Sequence, residues 1–242
     1  MERGNQPYSP AAAASALQWW ADAGVDVIVD EEPRNWLRPQ AKTQEAPSAA
    51  PSEAREEDLP GQLDLFQAWL RDSDSLAFAS PAAPRVCPSG DPTSGLMIMI
   101  DMPATDDCRD GALLSGEAGP LFDRMMAAIG RDRGSLYLAA LSCFRSPDGR
   151  FTSETANRCA TLARHHIGLA APRALLLFGD ACSKALLGLP MAQARGRWHE
   201  IATHAGPVRT LVTIPPSYLL DQPSAKALAW ADLQRLAQGL KP

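Results

Sequence analysis

The sequence predicts an α/β fold: a three-layer α/β/α sandwich around a mainly parallel, four-stranded central sheet. Short, almost unbroken apolar runs, of the kind found in strands buried on both faces, alternate along the chain with segments of helical periodicity. That alternation is the mark of strand–helix–strand crossovers, which join parallel strands. The 242 residues, 45% of them hydrophobic, suffice for one full core and at most a small appendage.

Residues 1–39 read as an N-terminal Trp-rich helical segment. Ser15 to Ala23, SALQWWADA, fits a short amphipathic helix, and Pro33 ends regular structure in the following VDVIVDEEPRNWL. Trp19, Trp20 and Trp36, three of the six tryptophans, lie in a stretch too short to bury them by itself. They pack either on the main domain or on another protein, exposed aromatics being frequent interface anchors. Residues 40–60, rich in Ala, Pro, Ser and Glu, read as a flexible linker. Residues 61–242 then form the main domain.

Within that domain Leu63 to Leu70 (LDLFQAWL) is a helix, and GLMIMID is a buried strand by its continuous apolar run. Pro120 to Ile129 is a helix and SLYLAALSC the second strand. Ser153 to Leu169 is a helix opened by a Ser-type cap, and ALLLFGD is the third strand. Ala181 to Leu187 is a short helix, RTLVTIP the fourth strand, and Ser224 to Gly239 the closing helix.

The net charge of −5 conceals an uneven distribution. Residues 1–59 hold 5 basic against 11 acidic residues, whereas Arg124 to Arg209 holds 12 basic against 5 acidic. A basic face of this kind suits a polyanion, and the same pattern also fits solvated helix faces. Five cysteines at irregular positions and no opening apolar run of signal type suggest a cytoplasmic protein with reduced thiols. No stretch approaches the roughly 18 apolar residues of a membrane span. A generic nucleotide-binding enzyme is disfavoured, since no Gly-x-Gly-x-x-Gly follows a strand and no P-loop is present.

Five motifs, in order, carry a resemblance. The run IDMPATDDCRDGALLSGEAGPLF supplies Pro103, Gly111, Gly116, Ala118, Gly119 and Leu121; Tyr137, Leu138 and Cys143 follow on the second strand; then come FGDACSKALLG, the pair Arg195–Gly196, and PPSYLLDQPSAKALAWADLQRL. From about Leu63 to Leu240 the chain resembles the uracil-DNA glycosylase superfamily, most of all its family-four, iron–sulfur branch. The resemblance implies a base-excision repair activity: hydrolysis of the N-glycosidic bond of uracil or another damaged base in DNA. Such chemistry needs a flipped base, a donor for the departing base anion, and a polar group that positions water and tolerates a sugar cation.

Carried over residue by residue, the resemblance places Asp101 at the family's water-handling position, with Asp106 and Asp107 in its acidic run. Met102, Pro103, Leu114, Ala140 and Pro215 would line the base pocket. There Leu114 stands where relatives have a stacking aromatic, Ala140 where they have a base-reading Asn, and Pro215 where they have an anion-supporting His. His199 and His204 lie upstream of Pro215, where they either substitute for that His or are simply solvated loop residues. DNA contacts fall to Gly116, Gly119, Arg145, Arg195 and Arg197, with Arg150 nearby, and to a wedge of Ser217, Tyr218 and Leu219 followed by Leu220.

Cys143 and Cys159 have the 16-residue spacing of the branch's third and fourth cluster ligands, but the early Cys-x-x-Cys falls on SPAA at 80–83, with Cys87 beyond it. The expectation is therefore no metal, with Cys143 and Cys159 as vestiges of a lost iron–sulfur cluster. Two functions remain open: a glycosylase with a rearranged pocket, or a catalytically degenerate member that binds DNA or a repair protein. The expected partners are DNA and, through the Trp segment, a protein; the expected state is a monomer.

Overall fold

The computed structural model describes residues 59–80 and 83–240. The Trp-rich segment and all but the last two residues of the linker lie outside the described residues. The sheet has six strands in the order β1-β3-β2-β4-β6-β5. These are β1 (Ser89–Gly90), β2 (Leu96–Ile100), β3 (Tyr137–Ala140), β4 (Ala174–Phe178), β5 (His199–Thr203) and β6 (Gly206–Thr213). The four expected strands are the parallel centre, in which Ile98 pairs with Leu138 on one side and Leu176 on the other, and Leu176 pairs with Leu211. Both added strands are antiparallel edges. Neither is an apolar run: β1 has two exposed residues, and β5 is the half-exposed HEIAT.

Among the described residues eight α-helices accompany the sheet: α1 (Leu63–Asp72), α2 (Thr105–Asp110), α3 (Gly119–Ala127), α4 (Ser153–Ala170), α5 (Asp180–Leu187), α6 (Met191–Ala194), α7 (Pro216–Asp221) and α8 (Lys226–Gly239). The two-residue period of the strands divides the core. Leu96, Ile98, Ile100, Leu138, Leu176 and Phe178 meet Phe122 and Met126 of α3 and Leu233 and Leu236 of α8. Met97, Met99, Tyr137, Leu175 and Leu177 meet Cys159, Ala163 and Ile167 of α4 and Leu186 of α5. All five residues of β2 are buried, as are all five of β4, and these two are the central strands of the sheet.

Helices α2 and α7 were not expected. TDDCRD has no apolar periodicity, and the Pro-Pro pair before Tyr218 reads as a breaker, yet Pro216 occupies the first turn of α7, where a missing N–H costs nothing. The cap of α4 is Thr152, whose side chain accepts the Thr155 N–H, rather than Ser153. No helix among the described residues is long and apolar enough to cross a membrane.

A third cluster fixes α1 through Phe66, Leu70, Leu76, Cys143 and Phe144. A relay of hydrogen bonds beside it ties three elements together. The Gln67 amide donates to the Tyr137 hydroxyl at 2.7 Å, which leaves the hydroxyl to donate to His166 Nε2 at 2.8 Å. That arrangement requires a neutral imidazole. Full burial, with His165 beside it, pushes the His166 pKa down from 6.5 to about 3. The folded state therefore binds fewer protons than the unfolded chain between these values, and the stability carried by neutral His166 is whole above pH 6.5 and lost as pH falls toward 3. Urea melts should show stability falling steeply across this window, with a shallower fall in His166→Gln; equal slopes in the two proteins would contradict the relay.

Candidate active site

Chain order runs β2 to β3 on one side and β4 to β6 on the other, so the connections diverge between β2 and β4. Ligands of open α/β sheets bind at such a point, outside the carboxyl ends of the strands. A cleft of about 760 Å³ lies there, lined by Asp101 after β2, Gly179 and Asp180 after β4, Pro215 after β6, and residues 149–157 leading into α4. A second cavity, of about 290 Å³, is lined by Met102, Leu114, Gly116, Ser217 and Leu220 and again by Asp101. Asp101 stands where the two meet.

The burial of β2 dictates the state of this carboxyl. Asp101 is the first residue past a wholly buried strand, and loss of solvent pushes its pKa up from the ordinary aspartate value. The Met102 N–H, donating to Asp101 Oδ1 at 2.8 Å, and the nearby Arg145 guanidinium oppose that rise without cancelling it. The result is a half-buried carboxyl facing open space.

The three expected carboxylates part company. Asp107 is 1% exposed, and its oxygens accept the N–H groups of Ala104 (3.0 Å) and Ser115 (2.8 Å) and the Ser115 hydroxyl (3.1 Å). It braces the loop. Asp106 pairs with Arg109 at 3.0 Å and packs against Gly116, where any Cβ would collide with it. Met102 and Pro103 are buried, and the Pro103 carbonyl accepts from Arg145 at 3.1 Å.

Leu114 is held in the left-handed region, φ 53°, which a residue with a Cβ rarely adopts. Arg133 holds it there. Its guanidinium donates to the carbonyls of Leu113 (2.9 Å) and Leu114 (2.6 Å), pairs with Asp123 at 2.7 Å and lies over the Phe122 ring. Gly119 is needed beside it, since a Cβ would strike the Leu114 carbonyl oxygen.

The expected base pocket is not one place. Met102 and Leu114 share the smaller cavity with Asp101, Pro215 lines the larger cleft, and Pro103 lines neither. Ala140 pairs with Ile100 and packs on the α3/α8 side of the sheet with it, and otherwise borders only a separate gap of about 20 Å³ with Phe66, Cys143, Cys159 and His166. The DNA-contact set also divides. Arg145, Arg197, Ser217 and Tyr218 are exposed, Gly116 lines the smaller cavity and Gly119 is buried. Leu219 is 1% exposed and packs in the core, so on α7 the outward apolar residues are Tyr218 and Leu220. Helical geometry, hidden behind the Pro-Pro pair, turns Leu219 inward.

Arg195 does not face solvent either. Its Nε and Nη2 lie 2.8 and 2.7 Å from Asp232 Oδ2, a carboxylate of 1% exposure that also accepts the Thr213 hydroxyl at 2.9 Å. Asp232 and Arg133 gave no signal in the sequence because their partners are remote. Phe151, Asn157, Asp180 and Lys184, which line the larger cleft, were also missed. The FGDACSKALLG turn marked only the last two.

Residues 87–234 match the model of the uracil DNA glycosylase superfamily. The chain belongs to this superfamily. A type-4 uracil-DNA glycosylase of Pyrobaculum aerophilum is 23% identical over 151 residues, which cover 60% of this chain and 77% of that protein. Membership makes DNA the partner class to which the cleft is to be compared.

The residues present do not fit an iron–sulfur cluster. Cys143 and Cys159 line the 20 Å³ gap, whose walls are the apolar side chains of Phe66, Leu70 and Leu76, and burial pushes both thiols up to about 12. Cluster ligands are thiolates, and a cluster needs far more room. No group of three or more His, Cys, Asp or Glu residues is placed for a metal among the described residues.

Removing Arg195 would leave the Asp232 carboxylate buried and short of its main partner. Arg195→Ala should therefore lower the unfolding free energy by about 3–5 kcal/mol in urea titrations. The salt dependence of DNA affinity should not change; a slope reduced by about one would instead mark Arg195 as a phosphate contact.

Proposed function

We propose that the protein is a DNA glycosylase that hydrolyses the N-glycosidic bond of uracil or another damaged base. The observation that carries this reading is Asp101, a desolvated carboxyl at the carboxyl end of the central strand, open to the cleft at the topological switch point. Superfamily membership supports it. In the reaction the C1′–N bond breaks heterolytically, its electron pair leaves with the base, and positive charge spreads over C1′ and the ring oxygen. The Asp101 carboxylate faces that charge and orients water, whose oxygen bonds to C1′. The water's proton passes to Asp101 and then to solvent, and the base anion takes a proton from solvent. Free base and an abasic site result.

Arg145 holds the loop that presents Asp101 through the Pro103 carbonyl, and Asp107 holds its other end through Ala104 and Ser115. The exposed pair Tyr218 and Leu220 forms the apolar wedge beside the flipped base, a task that requires only shape. Ala140 and Pro215 carry no donor, and each donor lost to a developing anion costs roughly 10²–10³ in rate. Turnover is accordingly slow. The same two residues favour a second reading, a superfamily member that binds DNA without cutting it.

Single-turnover assays with excess protein on uracil-, hypoxanthine- and xanthine-containing duplexes, developed with alkali, separate the two. Abasic sites should form with at least one base, and Asp101→Asn should slow them by about 10² or more. The ionised carboxylate being the active form, the rate should fall as pH drops through a midpoint above the ordinary aspartate value of about 3.9. Asp101→Asn should keep or raise the melting temperature, because the desolvated charge is removed. DNA binding with no abasic site at stoichiometric protein would establish the non-cleaving reading.

A further inference from the structure

Leu114 has no π-face, the Ala140 methyl offers no hydrogen bond, and Pro215 cannot donate, so the expected positions leave the base without stacking, edge reading or charge compensation. The cleft at the switch point holds all three capacities on other elements. We propose that base recognition resides at the start of α4 and on α5: Phe151 stacks on the base, Asn157 hydrogen-bonds its edge, and Lys184 faces the negative charge that develops as it leaves. This rests on reading the cleft as a glycosylase site.

Phe151, Asn157 and Lys184 line the same 760 Å³ cleft as Asp101, a volume within the range of small-molecule sites. Phe151 is half-buried and backed by Phe78, the two ring centroids 5.8 Å apart at 47°. Phe78 itself sits at φ 64°, an unusual conformation for a bulky residue, maintained where it supports the Phe151 ring. The result is a supported aromatic wall.

Asn157 follows Ser153 by one helical turn, and Ser153, Ala156 and Asn157 share the face of α4 that borders the cleft. Its carboxamide is exposed and makes no hydrogen bond among the described residues, although its backbone carbonyl accepts from Thr161. A carboxamide offers two donors and an acceptor, the complement of a base edge with one carbonyl and one N–H. On α5, Asp180, Ala181, Lys184 and Ala185 border the same space. Lys184 pairs with Asp180 at 2.6 Å, but both side chains are about half exposed. Such a pair is weak enough for the ammonium to exchange partners.

The test uses the full chain and two duplexes, one with a damaged base that the wild type excises and one with a tetrahydrofuran site that has no base. Phe151→Leu and Asn157→Ala should raise the half-saturating concentration for the first duplex roughly tenfold or more while leaving affinity for the second unchanged. Phe151→Tyr should restore the first. Asn157→Ala should also flatten the ranking among uracil, hypoxanthine and xanthine, and Lys184→Met should lower the single-turnover rate without changing half-saturation. Melting temperatures identify a folding defect in Phe151→Leu, in which case the exposed Asn157 decides. Wild-type excision with unchanged half-saturation and ranking in Asn157→Ala would overturn the proposal and leave the glycosylase reading intact. Absence of excision in the wild type would overturn that reading first.

Discussion

Everything at the site follows from the complete burial of β2. Five successive apolar residues with no exposed member can be accommodated only in the centre of a sheet covered on both faces. That placement puts β3 on one side and β4 on the other, makes the gap between β2 and β4 the switch point, and leaves the next residue, Asp101, half out of water with open space before it. A carboxyl so placed is held above its ordinary pKa by its surroundings, not by a neighbouring charge. The same burial that stabilises the fold thereby desolvates the carboxyl to which the proposed chemistry falls.

Around this centre the polar residues fall into two populations. Asp107, Arg133, Asp232 and Arg195 are spent internally: Asp107 and Arg133 bind backbone groups of the loop that follows β2, and Arg195 and Asp232 satisfy each other beside β6. Asp101, Arg150, Asn157 and Lys184 border the cleft. Hydrogen-bond saturation separates the bracing groups from those that face the cleft better than residue type does. Two aspartates six positions apart, Asp101 and Asp107, have opposite fates, one facing a cavity and the other consumed by three hydrogen bonds.

Much of the fold was legible because its elements are locally encoded. LMIMI, YLAA, ALLLF and the end of β6 announce themselves as apolar runs, and α1, α3, α4, α5 and α8 fall close to their expected bounds. What escaped depends on partners distant in sequence. TDDCRD becomes a helix because Asp107 reaches Ala104 and Ser115; HEIAT becomes a strand because β6 offers it an edge; Leu219 turns into the core because α7 is helical. At the site, the sequence pointed to Asp101 but scattered the base pocket, since alignment to a family pattern carries no information about which cavity a side chain enters. The cleft's lining at the start of α4 belongs to no strand-end motif and so stayed silent, and FGDACSKALLG marked Asp180 and Lys184 without a role.

The central claim is that the fold itself desolvates the Asp101 carboxyl at the cleft. Carboxyl-carbon NMR of aspartate-labelled protein, with Asp101→Asn to assign the resonance, measures this directly. A titration midpoint for Asp101 clearly above the ordinary value of about 3.9 is the predicted result. A midpoint at or below that value would show a solvated or salt-bridged carboxylate and contradict it.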